Sequence, residues 1–192
     1  MLEEVLKSYP RKIHLKNGLK CTARPLAATD EKAFYQFFQA IPDPEKLFIK
    51  HRVSDPKVIH QWCKTIDLGR ILPLLAVEGS RIIADASLHQ QLGGWKRHVG
   101  RISILVHPEY RGRGLARTLV QELLDIARGI GLEKIEAEFL GEQAVATKMF
   151  SLLGFQTLLT LPDYVKDMQA VSHDYVLMGL NLKTDEEYTS AG

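Results

Sequence analysis

Arg101-Ile-Ser-Ile-Leu-Val106, His107-Pro-Glu-Tyr110 and Arg111-Gly-Arg-Gly-Leu-Ala116 follow one another without a break, and their joint reading decides the fold. The first six residues are an apolar run with the look of a buried strand. Pro108 removes a backbone donor and helps the chain leave the sheet. The turn that follows opens directly onto an amphipathic helical pattern. Gly112 and Gly114 allow the backbone to approach a ligand with no Cβ in the way, and the free N–H groups of a helix start attract an anion. Arg111, Arg113 and Arg117 add full positive charges. The stretch reads as a phosphate cradle.

Downstream, Leu115, Leu119, Leu123, Ala127 and Ile130 form one stripe of a helix from about Gly114 to Ile130, with Gly131 as its stop. Lys134 to Leu140 alternates, Ile135, Ala137 and Phe139 one way and Glu136 and Glu138 the other, as a half-polar strand does. A helix is expected from about Gln143 to Leu153, then an extended run Phe155 to Leu161. A polar connection, Pro162 to Gln169, leads to a last strand from about Asp174 to Leu182. Lys183 to Gly192 lose the apolar rhythm and read as a loose tail.

Upstream, Asn17-Gly18 sits between two short extended runs, a strong hairpin signal. Helices are expected after Thr29 or Asp30 and at Pro56, with a loop around Pro42 and Pro44 between them. Ile71 to Val77 and Arg81 to His89 read as an antiparallel pair.

The 192 residues suit one domain, here 1–182. Twenty-five Lys and Arg against 23 Asp and Glu leave a formal charge of +2, which argues against a nucleic-acid surface. Two cysteines, Cys21 and Cys63, suggest neither a disulfide framework nor a metal site. No apolar run reaches a membrane span, and Met1 to Lys7 lack the order of a signal peptide, so a cytoplasmic location is expected.

The order [Gln/Arg]-x-x-Gly-x-[Gly/Ala] after an apolar strand, filled here by Arg111, Gly114 and Ala116, resembles the acyl-CoA pyrophosphate loop of the GNAT superfamily of N-acetyltransferases. A second motif agrees. Ala146-Thr-Lys-Met-Phe150-Ser-Leu-Leu-Gly154-Phe155 is similar to a later family helix, matching at Ala146, Gly154 and Phe155. The resemblance implies an α/β (α+β) fold, a mixed and mostly antiparallel sheet flanked by helices, with a splayed strand pair that holds acyl-CoA. It implies that Ile104, Leu105 and Val106 line the pantetheine arm, that Arg111 to Arg117, Leu115 included, hold the pyrophosphate, and that Gln143 and Phe150 lie on the cofactor side. It further implies acetyl-CoA as cosubstrate, no metal, and a small-molecule or protein amine as acceptor. A homodimer is compatible with it.

The departures bear on mechanism. Phe150 stands at the usual Tyr of the family and has no proton to give, and Gln143 replaces the usual Asn. Glu138 resembles in placement the catalytic Glu of some family members and is the first candidate base. Tyr164, with Tyr175, is the candidate substitute acid. Asp85, His89, His98 and His107 are weaker candidates, each with a structural or surface role as the alternative. The chain reads as an acyl-CoA-dependent N-acyltransferase acting by direct attack. The alternative is a CoA-binding sensor that lost its acid; nucleotide binding lacks the ending of a P-loop.

Overall fold

The computed structural model describes residues 1–49 and 51–183. Strands β1 (Arg11–His14), β2 (Lys20–Pro25), β3 (Ile71–Glu78), β4 (Arg81–Gln90), β5 (Val99–Val106), β6 (Lys134–Leu140), β7 (Gln156–Lys166) and β8 (Ser172–Asn181) form one sheet, in the order β1-β2-β3-β4-β5-β6-β8-β7. All neighbours are antiparallel except β5 and β6. Helices α1 (Leu2–Leu6), α2 (Glu31–Ala40), α3 (Asp43–Lys46), α4 (Pro56–Lys64), α5 (Leu115–Gly129) and α6 (Ala144–Ser151) pack around it.

Local chemistry explains the elements. Asn17 accepts the Leu19 N–H at 3.2 Å and Gly18 takes φ +85°, which sets the β1–β2 register of Ile13 opposite Cys21. Asp55 accepts the Lys57 N–H at 2.9 Å and caps α4, whose first residue is Pro56. On one face of the sheet, Leu119, Val120 and Leu123 of α5 pack on Leu72, Leu74, Leu88, Ile102 and Ile135. On the other, Phe34, Phe37 and Phe38 of α2 and Ile59 of α4 cover Leu75, Val77 and Ile82. Each such buried side chain contributes about 1.5–3 kcal/mol.

The sheet changes character between β5 and β6. They pair in parallel over three positions only, Val99 with Lys134, Gly100 with Ile135 and Arg101 with Glu136. Gly100 eases the packing at this root, since a Cβ there would lie 2.8–2.9 Å from the terminal methyls of Leu132, Ile135 and Leu88. Beyond it β5 stays with β4 to Val106, and β6 stays with β8 to Leu140. The two halves of the sheet therefore part, as a splayed pair does.

Two stretches differ from the reading of the sequence, and one that it left unassigned is helical. Residues 2–6 are helical, with Val5 against Gly129 of α5. The expected loop at Pro42 and Pro44 holds the short α3. The expected polar connection is in its first part a continuation of β7, which pairs Val165 with His173 and Lys166 with Ser172 after a register shift beyond Leu161. The tail lies outside the described residues except for Lys183, whose Nζ donates to Glu133 at 2.9 Å.

Candidate active site

The cradle is built where β5 ends. His107, buried, packs its ring edge-on against Tyr110 at 5.7 Å and accepts from Arg81 at 2.8 Å. Burial, then the Arg81 charge, holds its pKa down. Tyr110 donates to Glu78 at 2.5 Å, and the Arg113 guanidinium stands 5.4 Å from the Tyr110 ring centre. These contacts fix the turn beneath Gly112 and Gly114, whose φ values are +70° and +81°. A Cβ built on either glycine meets nothing within 4 Å, so open space lies above both. Gly114 is the N-cap of α5, and among the described residues no side chain caps that helix start. The first N–H groups of a 15-residue helix are thus left for an anion.

Arg111, Gly112, Arg113, Gly114 and Arg117 are exposed around this space, and Ala116 is half-buried. Leu115 is buried in the core and has only its main chain to offer. Arg111 is engaged twice: its Nε donates to the Val106 carbonyl at 3.1 Å, and its two Nη atoms donate to Glu45 at 2.8 and 2.7 Å. Glu45 lies 66 positions away, and no motif links it to the cradle.

The edge of β5 leads from the cradle into the split. The His107 N–H donates to Ile83 of β4, so strand alternation turns the backbone groups of Ile104 and Val106 away from β4, toward the parted side. Beyond Arg101 no ladder partner covers that side among the described residues. Leu105 instead pairs with Asp85 of β4, and its side chain packs with the α2 cluster.

On the face that carries α2, polar side chains run across four strands. Asp85, Ser87 and His89 alternate along β4 with Ala84, Ala86 and Leu88; Ser103 and Arg101 follow on β5, Glu138 on β6 and Tyr175 on β8. Ser87 donates to Asp85 at 3.0 Å, and His89 Nε2 lies 3.3 Å from the Ser103 hydroxyl. Arg101 donates to one Glu138 oxygen at 3.1 Å and Tyr175 to the other at 3.0 Å. Burial, then the hydrogen bond to Glu138, pushes the Tyr175 phenol up to about 12. Burial pushes the Asp85 carboxyl up to about 7. Tyr164 is exposed, its ring 5.8 Å from that of Tyr175.

Other candidates lie apart. His98 precedes β5, its carbonyl accepting from Glu133 and Lys134 at the closed root of the split. Gln143 accepts the Leu140 N–H at 2.8 Å and so ties the end of β6 to α6. Phe150 is fully enclosed, 4.9 Å edge-on from both Phe139 and Phe155, and its side chain gives no surface to a cofactor. The Asp85-x-Ser87-x-His89 alternation is the sequence signal from which this polar face could be read.

The acetyltransferase (GNAT) family matches residues 32–155. The L-amino acid N-acyltransferase MnaT of Escherichia coli is 27% identical over 95 residues, covering 47% of this chain and 54% of that protein. The L-methionine sulfoximine/L-methionine sulfone acetyltransferase of Salmonella typhimurium matches to the same extent. The chain thus aligns with about half the length of these curated relatives. Among solved structures, YncA of Salmonella typhimurium with its cofactor acetyl-CoA superposes with a TM-score of 0.71 at 22% identity, covering 85% of this chain and 95% of that one. A ribosomal-protein-alanine N-acetyltransferase of Brucella melitensis gives 0.70 at 20% identity, covering 83% and 98%. At these identities the likeness is one of fold.

Proposed function

Because the chain belongs to the acetyltransferase (GNAT) family, we propose that residues 1–182 form one acyltransferase domain that moves acetyl from acetyl-CoA to a primary amine by direct attack. One observation carries this reading: a β5 edge with no ladder partner among the described residues at Ile104 and Val106 runs from the root of the split to a glycine cradle at a helix start. The residues present fit acetyl-CoA. An edge strand is a template for an amide-bearing arm, and the cradle offers N–H groups and arginines to a pyrophosphate. Acetyl-CoA, when bound, supplies the acyl group as a thioester.

The acceptor approaches from the polar face. Glu138, oriented by Arg101 and Tyr175, presents a carboxylate to the incoming ammonium. Tyr175 is the phenol held in place on that face, and Tyr164 lies beside it with its ring tilted, as a second donor facing solvent. Free amino acids and protein N-terminal amines are the acceptor classes to try first, in line with the substrates named for MnaT and for the ribosomal-protein acetyltransferase. The test is isotope-labelled acetyl-CoA offered with a panel of L-amino acids and alanyl peptides. Transfer above the uncatalysed rate is expected, and none to any member would refute the reading for those classes.

A CoA sensor is the second reading, favoured by Phe150 at the position of the usual acid. Tight CoA binding in calorimetry together with no turnover would select it.

A further inference from the structure

We infer that Glu45 is an internal stand-in for the cofactor's phosphate, and that its release of Arg111 to acyl-CoA loosens a strap lying across the mouth of the split. This rests on the acyl-transfer reading above and deepens it. The strap is residues 43–49. Glu45 receives both Nη atoms of Arg111, at 2.8 and 2.7 Å. Two residues on, the Leu47 carbonyl accepts the Met168 N–H at 3.3 Å. The Phe48 ring stands edge-on to His173 at 5.1 Å. Arg111 is tied through its Nε to Val106, the last residue of β5, whereas Met168 and His173 belong to the β7–β8 hairpin, and β8 is the partner of β6. Residues 45–48 therefore touch both halves of the parted sheet.

The strap crosses on the face that carries α2. Ile49 packs against the α2 cluster, as Leu105 of β5 does. His173 and Tyr175 are two apart on β8 and share a face, so Phe48 stands one step along the strand from the phenol that holds Glu138. With the strap shut, the side from which the acceptor comes is narrowed.

The hairpin is built without the strap. Asp167 Oδ1 accepts the Gln169 and Val171 N–H groups at 2.8 and 3.0 Å. The His173 ring nitrogens lie 2.7 Å from Glu142 and 3.3 Å from Asp167. The strap is likewise a unit of its own. Lys46 Nζ donates to Asp43 at 3.1 Å and to the Gln39 carbonyl at 3.4 Å, and the segment leaves α2 at the buried Ile41. Its printed polar and ring contacts across the split are those of Glu45, Leu47 and Phe48, all at least partly exposed.

The exchange follows from charge and geometry. A guanidinium presents a flat fork of N–H groups that fits a carboxylate or a phosphate in the same bidentate way. Glu45 fills that fork. Its carboxylate therefore stands beside the arginine that a pyrophosphate over Gly112 and Gly114 would share, and two anions at one guanidinium repel each other. Glu45 gives up Arg111 to the stronger anion, and α3 turns away, taking Leu47 and Phe48 off the hairpin. Linkage makes this reciprocal: every contact that keeps the strap shut weakens cofactor binding. Phe48 lies across the split from the cradle, so it acts on CoA affinity without touching CoA.

Glu45→Gln and Phe48→Ala test this on the full chain, by calorimetry with CoA and by amide hydrogen exchange at Met168. Glu45→Gln should tighten CoA binding by up to about fivefold. Phe48→Ala should tighten it by about two- to threefold, the worth of one edge-on ring contact near the surface. Saturating CoA should speed exchange at Met168 in wild type, and Glu45→Gln should speed it without CoA. Weaker binding in Glu45→Gln overturns the inference. So does CoA affinity unchanged or weakened in Phe48→Ala, or exchange at Met168 that CoA leaves unchanged or slows. Each of these leaves the transfer reading standing while wild type binds CoA and acetylates an amine. If wild type does not bind CoA, both readings fall.

Discussion

Replacing Gly114 with Asp separates what the cradle holds from how the helix folds. The position has φ +81° and open space where a Cβ would sit, so a Cβ there meets no described residue within 4 Å. Its backbone cost, about 1 kcal/mol for an L-residue in the left-handed region, falls on stability and is common to Gly114→Ala and Gly114→Asp. An aspartate at a helix start recovers up to about 1 kcal/mol, so the charged variant should melt no lower than the alanine variant. Binding responds differently. A carboxylate about 5 Å from one pyrophosphate charge, at an effective dielectric near 20, costs about 3 kcal/mol, and about 2 kcal/mol with physiological screening. That is a loss of roughly 30- to 200-fold in CoA affinity relative to Gly114→Ala. Calorimetry with CoA on both variants reads it directly, and the gap should narrow at high salt. A folded Gly114→Asp protein that binds CoA within threefold of Gly114→Ala would show that the anion lies elsewhere.

Glu45→Gln should tighten CoA binding by up to about fivefold in the same calorimetry, because the half-exposed Glu45 carboxylate competes with the ligand for Arg111 at a cost of up to about 1 kcal/mol. Weaker binding would mean that Glu45 instead orients Arg111 for the ligand. Gly100→Ala should lower stability by about 1–3 kcal/mol in denaturant unfolding, since its methyl meets Leu132, Ile135 and Leu88 at the root of the split. Phe150→Tyr should cost about 1–3 kcal/mol in ligand-free unfolding, as its hydroxyl enters an enclosure lined by Phe139 and Phe155. Unchanged stability would mean that the ring edge opens on the cleft.

The elements legible in the sequence were those whose side chains report their own surroundings. Ile135, Ala137 and Phe139 are buried and Glu136 and Glu138 turn away, as the alternation requires. Asn17-Gly18 and Asp55-Pro56 form the turn and the cap their chemistry favours. The end of β7 was not legible, because Pro162, Asp163 and Tyr164 break the rhythm and the strand resumes through backbone pairing with β8. The Arg111–Glu45 contact was not legible either: it joins an exposed turn to an exposed helix, and neither residue type forecasts its partner. Asp85 was visible as a polar residue in an apolar strand. Its position between Leu75 and Leu105 needed the register of two ladders.

The place where the sheet parts also explains why the polar row collects there. A central strand normally satisfies its N–H and C=O groups on both sides, and an unpaired buried group costs about 1–3 kcal/mol. β5 forgoes a ladder partner on its β6 side after Arg101, and at Val106 the carbonyl is met by the Arg111 side chain. The same parting separates Ser103 and Leu105 on β5 from Glu138 and Leu140 on β6. Arg101, at the last paired position, reaches across to Glu138 just beyond it, so the ion pair bridges the mouth of the split. Pairing β5 fully with β6 would close the edge and bring these side chains together; parting them leaves backbone donors on one line and carboxylates on the face beside it. A thioester arm and an ammonium need those two surfaces at once.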